Sequence, residues 1–309
     1  MAYAATIGFF DGVHKGHQYL LSELLRVAAE NGLQSAVLTL DKHPETVLSG
    51  HTKPLLTTVE ERAELLKQSG VDEIFLFQFE VIQQMTAAEF MRVIHDRYGV
   101  EILLMGYDHR FGNDCMTEFS DYDAIGREVG LKLVQVEEAP EGAVSSSKIR
   151  KALLRGDIEC ANEMLGYKYM LSGKVVHGNG IGHTIGFPTA NVKPEECKLV
   201  PAAGVYEATV MGYGLRVMGD GLRVTGDGLA ESGESYRALV NIGTNPTVGN
   251  ENVTIEAYLI DYQGESLYGK ALTLRFLHRI REEQRFDSLE ALKAQIKMDL
   301  ATIKTEKNH

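Results

Sequence analysis

Short apolar runs alternate with amphipathic stretches through the first half of the chain. Ala4–Gly8, Ser35–Leu40, Ile74–Phe79, Ile102–Gly106 and Leu131–Val136 are mainly apolar segments of strand length, the pattern of buried strands. Between the first two, His17–Asn31 places Leu20, Leu24 and Ala28 on one helical face with Leu21 and Leu25 beside it. Thr58–Glu61 and Thr86–Glu89 both read T-x-x-E, the capping box that opens a helix. Strand and helix alternating about every 30 residues predict a doubly wound α/β domain with a parallel sheet. Such sheets bind ligands beyond the carboxyl ends of their strands. Two helical stretches, Ser147–Arg155 and Asp157–Leu165, are expected to close this half.

The pattern changes near Tyr167. Leu171–Val176, Gly204–Met211, Tyr236–Ile242, Val253–Ile260 and Ala271–Leu277 follow one another as strands with turn residues between, which predicts an antiparallel β-barrel. A C-terminal helix is expected after Asp287 or Ser288, with Leu289, Leu292, Ile296, Leu300 and Ile303 as its buried stripe. The expected domains are therefore residues 1–167 and 168–309. Gly214–Asp220 (GLRVMGD) is nearly repeated by Gly221–Asp227 (GLRVTGD). A seven-residue unit is far below solenoid length, so an expanded loop is expected there.

Composition narrows the function. The 309 residues carry a formal charge of −12 with 44% hydrophobic residues, values of a globular domain rather than of a disordered or membrane-spanning chain. The acidic balance argues against a nucleic-acid coat but not against anionic small ligands, which need only a local group of donors. Cys115, Cys160 and Cys197 are widely spaced and odd in number, so neither a disulfide framework nor a CxxC metal site is expected. The opening MAYAATIGFFDG lacks a basic stretch before an apolar run; a cytoplasmic protein without a signal peptide is the expectation.

The densest chemistry lies in Thr6–His17, TIGFFDGVHKGH. A strand turns through Gly8–Gly12 into a helix, so His14 and His17 fall at a helix N-terminus, where amide N–H groups and the dipole favour anions. Two alternatives are a metal pair, for which further ligands are missing, and an ordinary surface turn. Val144–Arg150 (VSSSKIR) sets three hydroxyls ahead of a guanidinium at another helix start, a donor set that suits phosphate oxygens as well as a plain serine cap. Gly173–Gly186 (GKVVHGNGIGHTIG) is glycine-rich but is not G-x-G-x-x-G, and strands flank it. A flap whose amides approach phosphates fits it better than a dinucleotide fingerprint. Thr189 and Asn191 follow, two neutral oxygen donors two residues apart. On Val253–Ile260, Thr254, Glu256 and Tyr258 share the face opposite Val253, Ile255, Ala257 and Leu259.

G-x-F-D-G-x-H-x-G-H resembles the ATP-binding signature of the nucleotidyltransferase superfamily, in the form found in bacterial bifunctional riboflavin kinase/FAD synthetases. GYDHRFG (Gly106–Gly112), VSSSKIR, GFPTAN (Gly186–Asn191), GVY (Gly204–Tyr206), NIGTNPT (Asn241–Thr247), Glu256, Tyr268–Gly269 and IREEQRF (Ile280–Phe286) continue the resemblance in that family's order over nearly the whole chain. It implies a Rossmann-like adenylyltransferase domain that makes FAD and pyrophosphate from FMN and ATP, and a barrel that phosphorylates riboflavin to FMN. In this reading His14, His17 and Arg150 stabilise the transferring phosphate. Gly8, Phe10, Asp11, Gly12, Ser145, Ser146, Ser147 and Lys148 bind ATP in the first domain, and Gly178, Gly180, Gly182 and Gly186 do so in the second. Asp108, Arg110, Phe111 and Arg281 lie on the flavin side, Thr189 and Asn191 hold Mg²⁺, and Glu256 is the general base. Phe111 fits a core position equally well. The family usually carries Arg or Lys where this chain has His183, so an alternative is an adenylyltransferase whose barrel is a weakened kinase or a flavin-binding regulatory module. A metal-dependent hydrolase and a non-enzymatic flavin store are less compatible with the motif order.

Overall fold

A computed structural model describes residues 1–50, 52–107, 109–114, 116–139, 144–178, 181–212, 235–247 and 250–305. The contacts divide the chain into two compact units between Ser146 and Ser147.

In the first unit the elements run β1 (Tyr3–Ile7), α1 (Lys15–Asn31), β2 (Gln34–Leu40), α2 (Pro44–Ser49), α3 (Val59–Gln68), β3 (Glu73–Phe77), α4 (Phe79–Ile82), α5 (Ala87–Tyr98), β4 (Val100–Gly106), α6 (Phe119–Val129) and β5 (Lys132–Val136). The strands form one parallel sheet in the order β3-β2-β1-β4-β5. Tyr3, Ala5 and Ile7 join Leu38, Phe75, Phe90, Met91, Ile94 and Tyr122 in a buried cluster with α5 and α6. On the helix that follows β1, Leu21, Leu24, Val27 and Ala28 are buried. Both T-x-x-E segments are complete capping boxes, Thr58 with Glu61 and Thr86 with Glu89. The third apolar run is shorter than its sequence suggests. β3 ends at Phe77, because the Asp41 carboxylate accepts from the Phe79 amide at 2.9 Å and α4 starts there. The order of strands reverses between β1 and β4, so the crevice beyond Ile7 and Gly106 is the ligand position of this topology.

The second unit begins with α7 (Ser146–Arg155) and α8 (Ile158–Leu165), the two helices expected to close the first half. Both contact the barrel. Asn162 Nδ2 donates to the Phe276 carbonyl at 3.0 Å, its Oδ1 accepts from Tyr169 N at 2.6 Å, and Ala202 N donates to the Leu153 carbonyl at 3.0 Å. After them come β6 (Met170–Val176), α9 (Ile181–Thr184), β7 (Ala190–Pro194), β8 (Gly204–Gly212), β9 (Ser235–Thr247), β10 (Asn250–Leu259), β11 (Ala271–Arg281) and α10 (Leu289–Thr305). The strands close into a six-stranded antiparallel barrel in the order β10-β7-β6-β11-β8-β9. Leu171, Val175, Tyr206, Ile255, Ala257, Leu274 and Phe276 are buried, while α10 covers the opposite face of some of these strands, its Ile303 against Val205 and Leu239. The stripe of α10 is shorter than expected, since Leu289 at its first position is 49% exposed. The duplicated GLRV segment lies outside the described residues.

Candidate functional site

The turn after β1 is built around buried groups. Phe10 and Val13 take positive φ angles of 55° and 36°, and Gly12 one of 82°, conformations that non-glycine residues adopt only when their surroundings enforce them. Here the enforcement is visible. The Asp11 carboxylate, 4% exposed, accepts from Leu56 N at 2.9 Å and Thr57 N at 3.1 Å, and Gly12 N donates to Thr57 Oγ1 at 3.1 Å. Asp11 and Gly12 therefore anchor the turn to the segment ahead of α3. Gly8 leaves room for the Phe10 ring, which stands edge-on to His17 with centroids 5.2 Å apart.

That turn delivers His14 to the N-cap of α1 and His17 to its first turn. The two imidazoles stack with centroids 3.7 Å apart and 17° between planes. No acidic residue occupies the first turn of α1, so nothing there competes with an anion for the helix dipole. An added Cβ on Gly16 would lie 3.3 Å from the His14 ring. Burial first, and the neighbouring His14 second, push the His17 imidazole well below its ordinary value of 6.5, so His17 is neutral at pH 7. Its Nδ1 has no hydrogen-bond partner among the described residues. Ser146 Oγ donates to the Asp11 carbonyl at 3.1 Å, which brings Ser145 and Ser146 to the same turn. Ser147 and Lys148 are exposed farther along α7 and Arg150 is 7% exposed, all three within the second unit.

On the far side of the switch point, Phe111 belongs to the packing. Its ring lies 5.4 Å from Phe90 and 4.8 Å from Tyr122, and its N–H donates to the Tyr122 hydroxyl, which donates back to the Phe111 carbonyl. Arg110 is exposed. Asp108 lies outside the described residues.

In the barrel, register assembles the second cluster. Asn191 on β7 and Asn241 on β9 are the direct antiparallel partners of Glu256 on β10, so the three side chains form one row on one face. Burial raises the Glu256 carboxyl above its ordinary value, as suits a proton acceptor working near neutral pH. The glycine-rich segment closes over this row. An added Cβ on Gly178 would fall 2.5 Å from Asn191 Oδ1, and one on Gly182 would meet the Phe187 carbonyl and lie 3.2 Å from Thr189 Oγ1. Gly186 has φ +84°. Gly180 lies outside the described residues. A cavity of about 610 Å³ adjoins the row, lined among others by Thr189, His183, Tyr258, Asp261, Tyr262 and Tyr268. Tyr268 stacks on His177 of the flap at 4.1 Å.

Residues 2–149 match the FAD synthetase family and residues 165–306 the riboflavin kinase family. A bifunctional riboflavin kinase/FMN adenylyltransferase of Listeria monocytogenes is 34% identical over 305 residues, covering 95% of this chain and 89% of its own length. The protein of that description from Pseudomonas fluorescens is 35% identical over 302 residues, covering 96% and 90%. The chain belongs to the bifunctional riboflavin kinase/FMN adenylyltransferase family. A crystal structure described as a macrolide-efflux protein of Streptococcus pneumoniae superposes with a TM-score of 0.80 at 30% identity, covering 97% of this chain and 93% of that one. That description is of the Streptococcus protein; among the described residues here, no helix is long and apolar enough to cross a membrane.

Two further residues of this bifunctional protein are placed by their long-range partners. Arg281, expected on the flavin side, is held by Asp299 of α10 through Nε at 3.0 Å and Nη2 at 2.9 Å. With Asp299 3% exposed, that pair fastens the segment after β11 to the helix. Asn241 was visible only as part of NIGTNPT; its place beside Glu256 follows from the β9–β10 register. An asparagine inside a strand, where that residue type is depleted, was the available signal.

Proposed function

We propose that the chain holds two separate phosphate-transfer sites, with adenylylation assigned to residues 1–167 and phosphorylation to 168–309. Both activities follow from the two domains that the chain carries, and ATP is the co-substrate of each. The observation that carries the kinase assignment is the row Asn191–Glu256–Asn241 under the flap.

In the barrel, Glu256 takes the proton from the ribityl 5′-hydroxyl of riboflavin as that oxygen attacks the γ-phosphorus of ATP. The bond from that phosphorus to the bridging oxygen breaks, and ADP leaves. A hard divalent cation fits the oxygen donors Thr189 and Asn191, because Mg²⁺ is commonly held by few protein ligands plus nucleotide phosphates. Among the described residues no group of three or more His, Cys, Asp or Glu forms a self-sufficient metal cage, in keeping with an ion that arrives with its nucleotide. When bound, Mg²⁺ would neutralise phosphate charge as the bond to ADP breaks. The flap amides at Gly178, Gly182 and Gly186 approach the same phosphates, and the adjoining cavity has room for the nucleoside.

In the adenylylation site, a phosphate oxygen of FMN attacks the α-phosphorus of ATP and pyrophosphate leaves. Alignment and charge neutralisation do most of this work. His14, His17 and the α1 amides supply it from one side, and Ser145, Ser146 and Arg150 are assigned to it by their motif. Asp11, Gly12, Phe10 and Gly8 act through the shape of the turn. Riboflavin, FMN and ATP are the partners, in the cytoplasm; neither nucleic acid nor a membrane is part of the proposal.

Paired variants test the separation. Glu256→Gln stops FMN formation while supplied FMN still becomes FAD, and His14→Ala does the reverse. Loss of both activities in either variant overturns the assignment.

A further inference from the structure

Once Arg281 is committed to Asp299, the question is which side chain of IREEQRF reaches the barrel site. Geometry answers it. Gly243 on β9 faces Thr254 on β10, one step along the same face from the Asn241–Glu256 pair. At the point where Gly243 lacks a side chain stands a carboxylate oxygen of Glu283, 2.7 Å from where a Cβ would be; Asn241 Nδ2 and Thr254 Oγ1 each lie 3.4 Å from that point. Glu283 is exposed and makes no hydrogen bond or ion pair among the described residues. It thus adds an acceptor-only group to a face that already bears Glu256, Asn241 and Thr254.

The spacing suggests what it accepts. Two positions along a strand separate Glu256 from the Gly243–Thr254 step, about 7 Å. With the terminal hydroxyl of the ribityl chain at Glu256, that distance leads toward the hydroxyls nearer the ring system. Every one of those is a donor. We propose that Glu283 binds the inner ribityl hydroxyls of riboflavin and selects a polyhydroxylated chain over a plain one. This rests on the reading of Glu256 as the base. The Arg281–Asp299 pair, two residues upstream of Glu283, holds the segment so that its carboxylate stands over Gly243.

The test is steady-state kinase kinetics on the full-length protein with two acceptors: riboflavin, and a flavin whose N10 chain is 5-hydroxypentyl. The second keeps the reacting hydroxyl and lacks the inner ones. Glu283→Gln is expected to raise the riboflavin KM about tenfold, roughly 1.4 kcal/mol, with kcat within twofold. The KM for the hydroxypentyl flavin is expected to be the same in variant and parent. Gly243→Ala, which displaces the carboxylate without removing it, is expected to raise the riboflavin KM in the same direction. An unchanged riboflavin KM in Glu283→Gln overturns the proposal. So does an equal rise for both flavins, or a parallel loss of FMN adenylylation, since either means general damage. Glu256→Gln separates this from the parent reading: wild-type kcat in that variant refutes the base assignment, whatever Glu283 does to KM.

Discussion

Gly178→Ala probes the flap over the kinase site with an ordinary methyl group. The backbone at Gly178 needs no left-handed angle, so the cost is one of space. The added Cβ would lie 2.5 Å from Asn191 Oδ1, with the other atoms of that amide group nearer still, whereas ordinary contact begins at 3.4 Å. Relief requires a shift of about 1 Å, and a misplacement of that size at a reacting centre costs on the order of 100-fold in rate. Asparagine is short, so the amide swings or the flap lifts; both move Asn191 away from the position proposed for the nucleotide. Global stability changes little, because the crowded group is half-exposed rather than core. The assay is FMN formation from riboflavin and ATP across a Mg²⁺ titration, with FMN adenylylation and thermal unfolding measured on the same preparation. Kinase kcat/KM is expected to fall roughly 100-fold and adenylylation to stay within twofold. If Asn191→Ala produces the same loss, the double variant should be no worse than either single one, since both act through one group. Kinase activity within twofold of wild type in Gly178→Ala would refute the claim that the flap and Asn191 form one site.

Three further predictions follow from the same geometry. Because burial raises the Glu256 carboxyl, its ionised form is unfavourable in the fold, and the stability this costs grows as pH rises from the ordinary carboxylate range through the raised value. Glu256→Gln should therefore lose kinase kcat by about 100- to 10,000-fold and melt no lower than wild type at pH 7.5; a clear drop in melting temperature contradicts it. His17 behaves in the opposite sense. Its folded value lies below 6.5, so the unfolded chain takes up the proton first and stability is lost as pH falls through about 6.5; calorimetry at pH 7.5 and 5.5 should show a smaller loss for His17→Gln than for wild type, and an equal loss refutes the account. Finally, His183 is exposed and lines the cavity beside Thr189. His183→Arg replaces an imidazole with a permanent, planar cation and should lower the kinase KM for ATP several-fold; an unchanged KM contradicts this.

The sequence was legible where burial is two-sided or a cap is local. Every residue of β1 is buried, so its apolar run could be read directly, and the capping boxes at Thr58 and Thr86 are short-range bonds written in four residues. The strand β7 was not legible. Its five residues follow Pro188 closely and end at Pro194, with Ala190 and Val192 as the only buried positions, too little pattern to distinguish a strand from a turn. Nor could the pairing of Asn191 with Glu256 be read, because it depends on how a closed barrel brings β7 against β10. The partner of Arg281 was not legible either. Its guanidinium pairs with a carboxylate eighteen residues on, across the turn into α10, which no local pattern announces. The same helix that hid Asp299 also leaves Leu289 exposed at its overhanging first turn.

The central claim is that one chain performs two successive phosphate transfers at two sites. Its most direct test is a time course of wild-type protein with riboflavin, ATP and Mg²⁺, following riboflavin, FMN, FAD, ADP and pyrophosphate together. The account predicts that FMN rises before FAD, and that each FAD formed is matched by one ADP and one pyrophosphate. FAD formation without ADP, or FMN accumulation without any pyrophosphate, would contradict it.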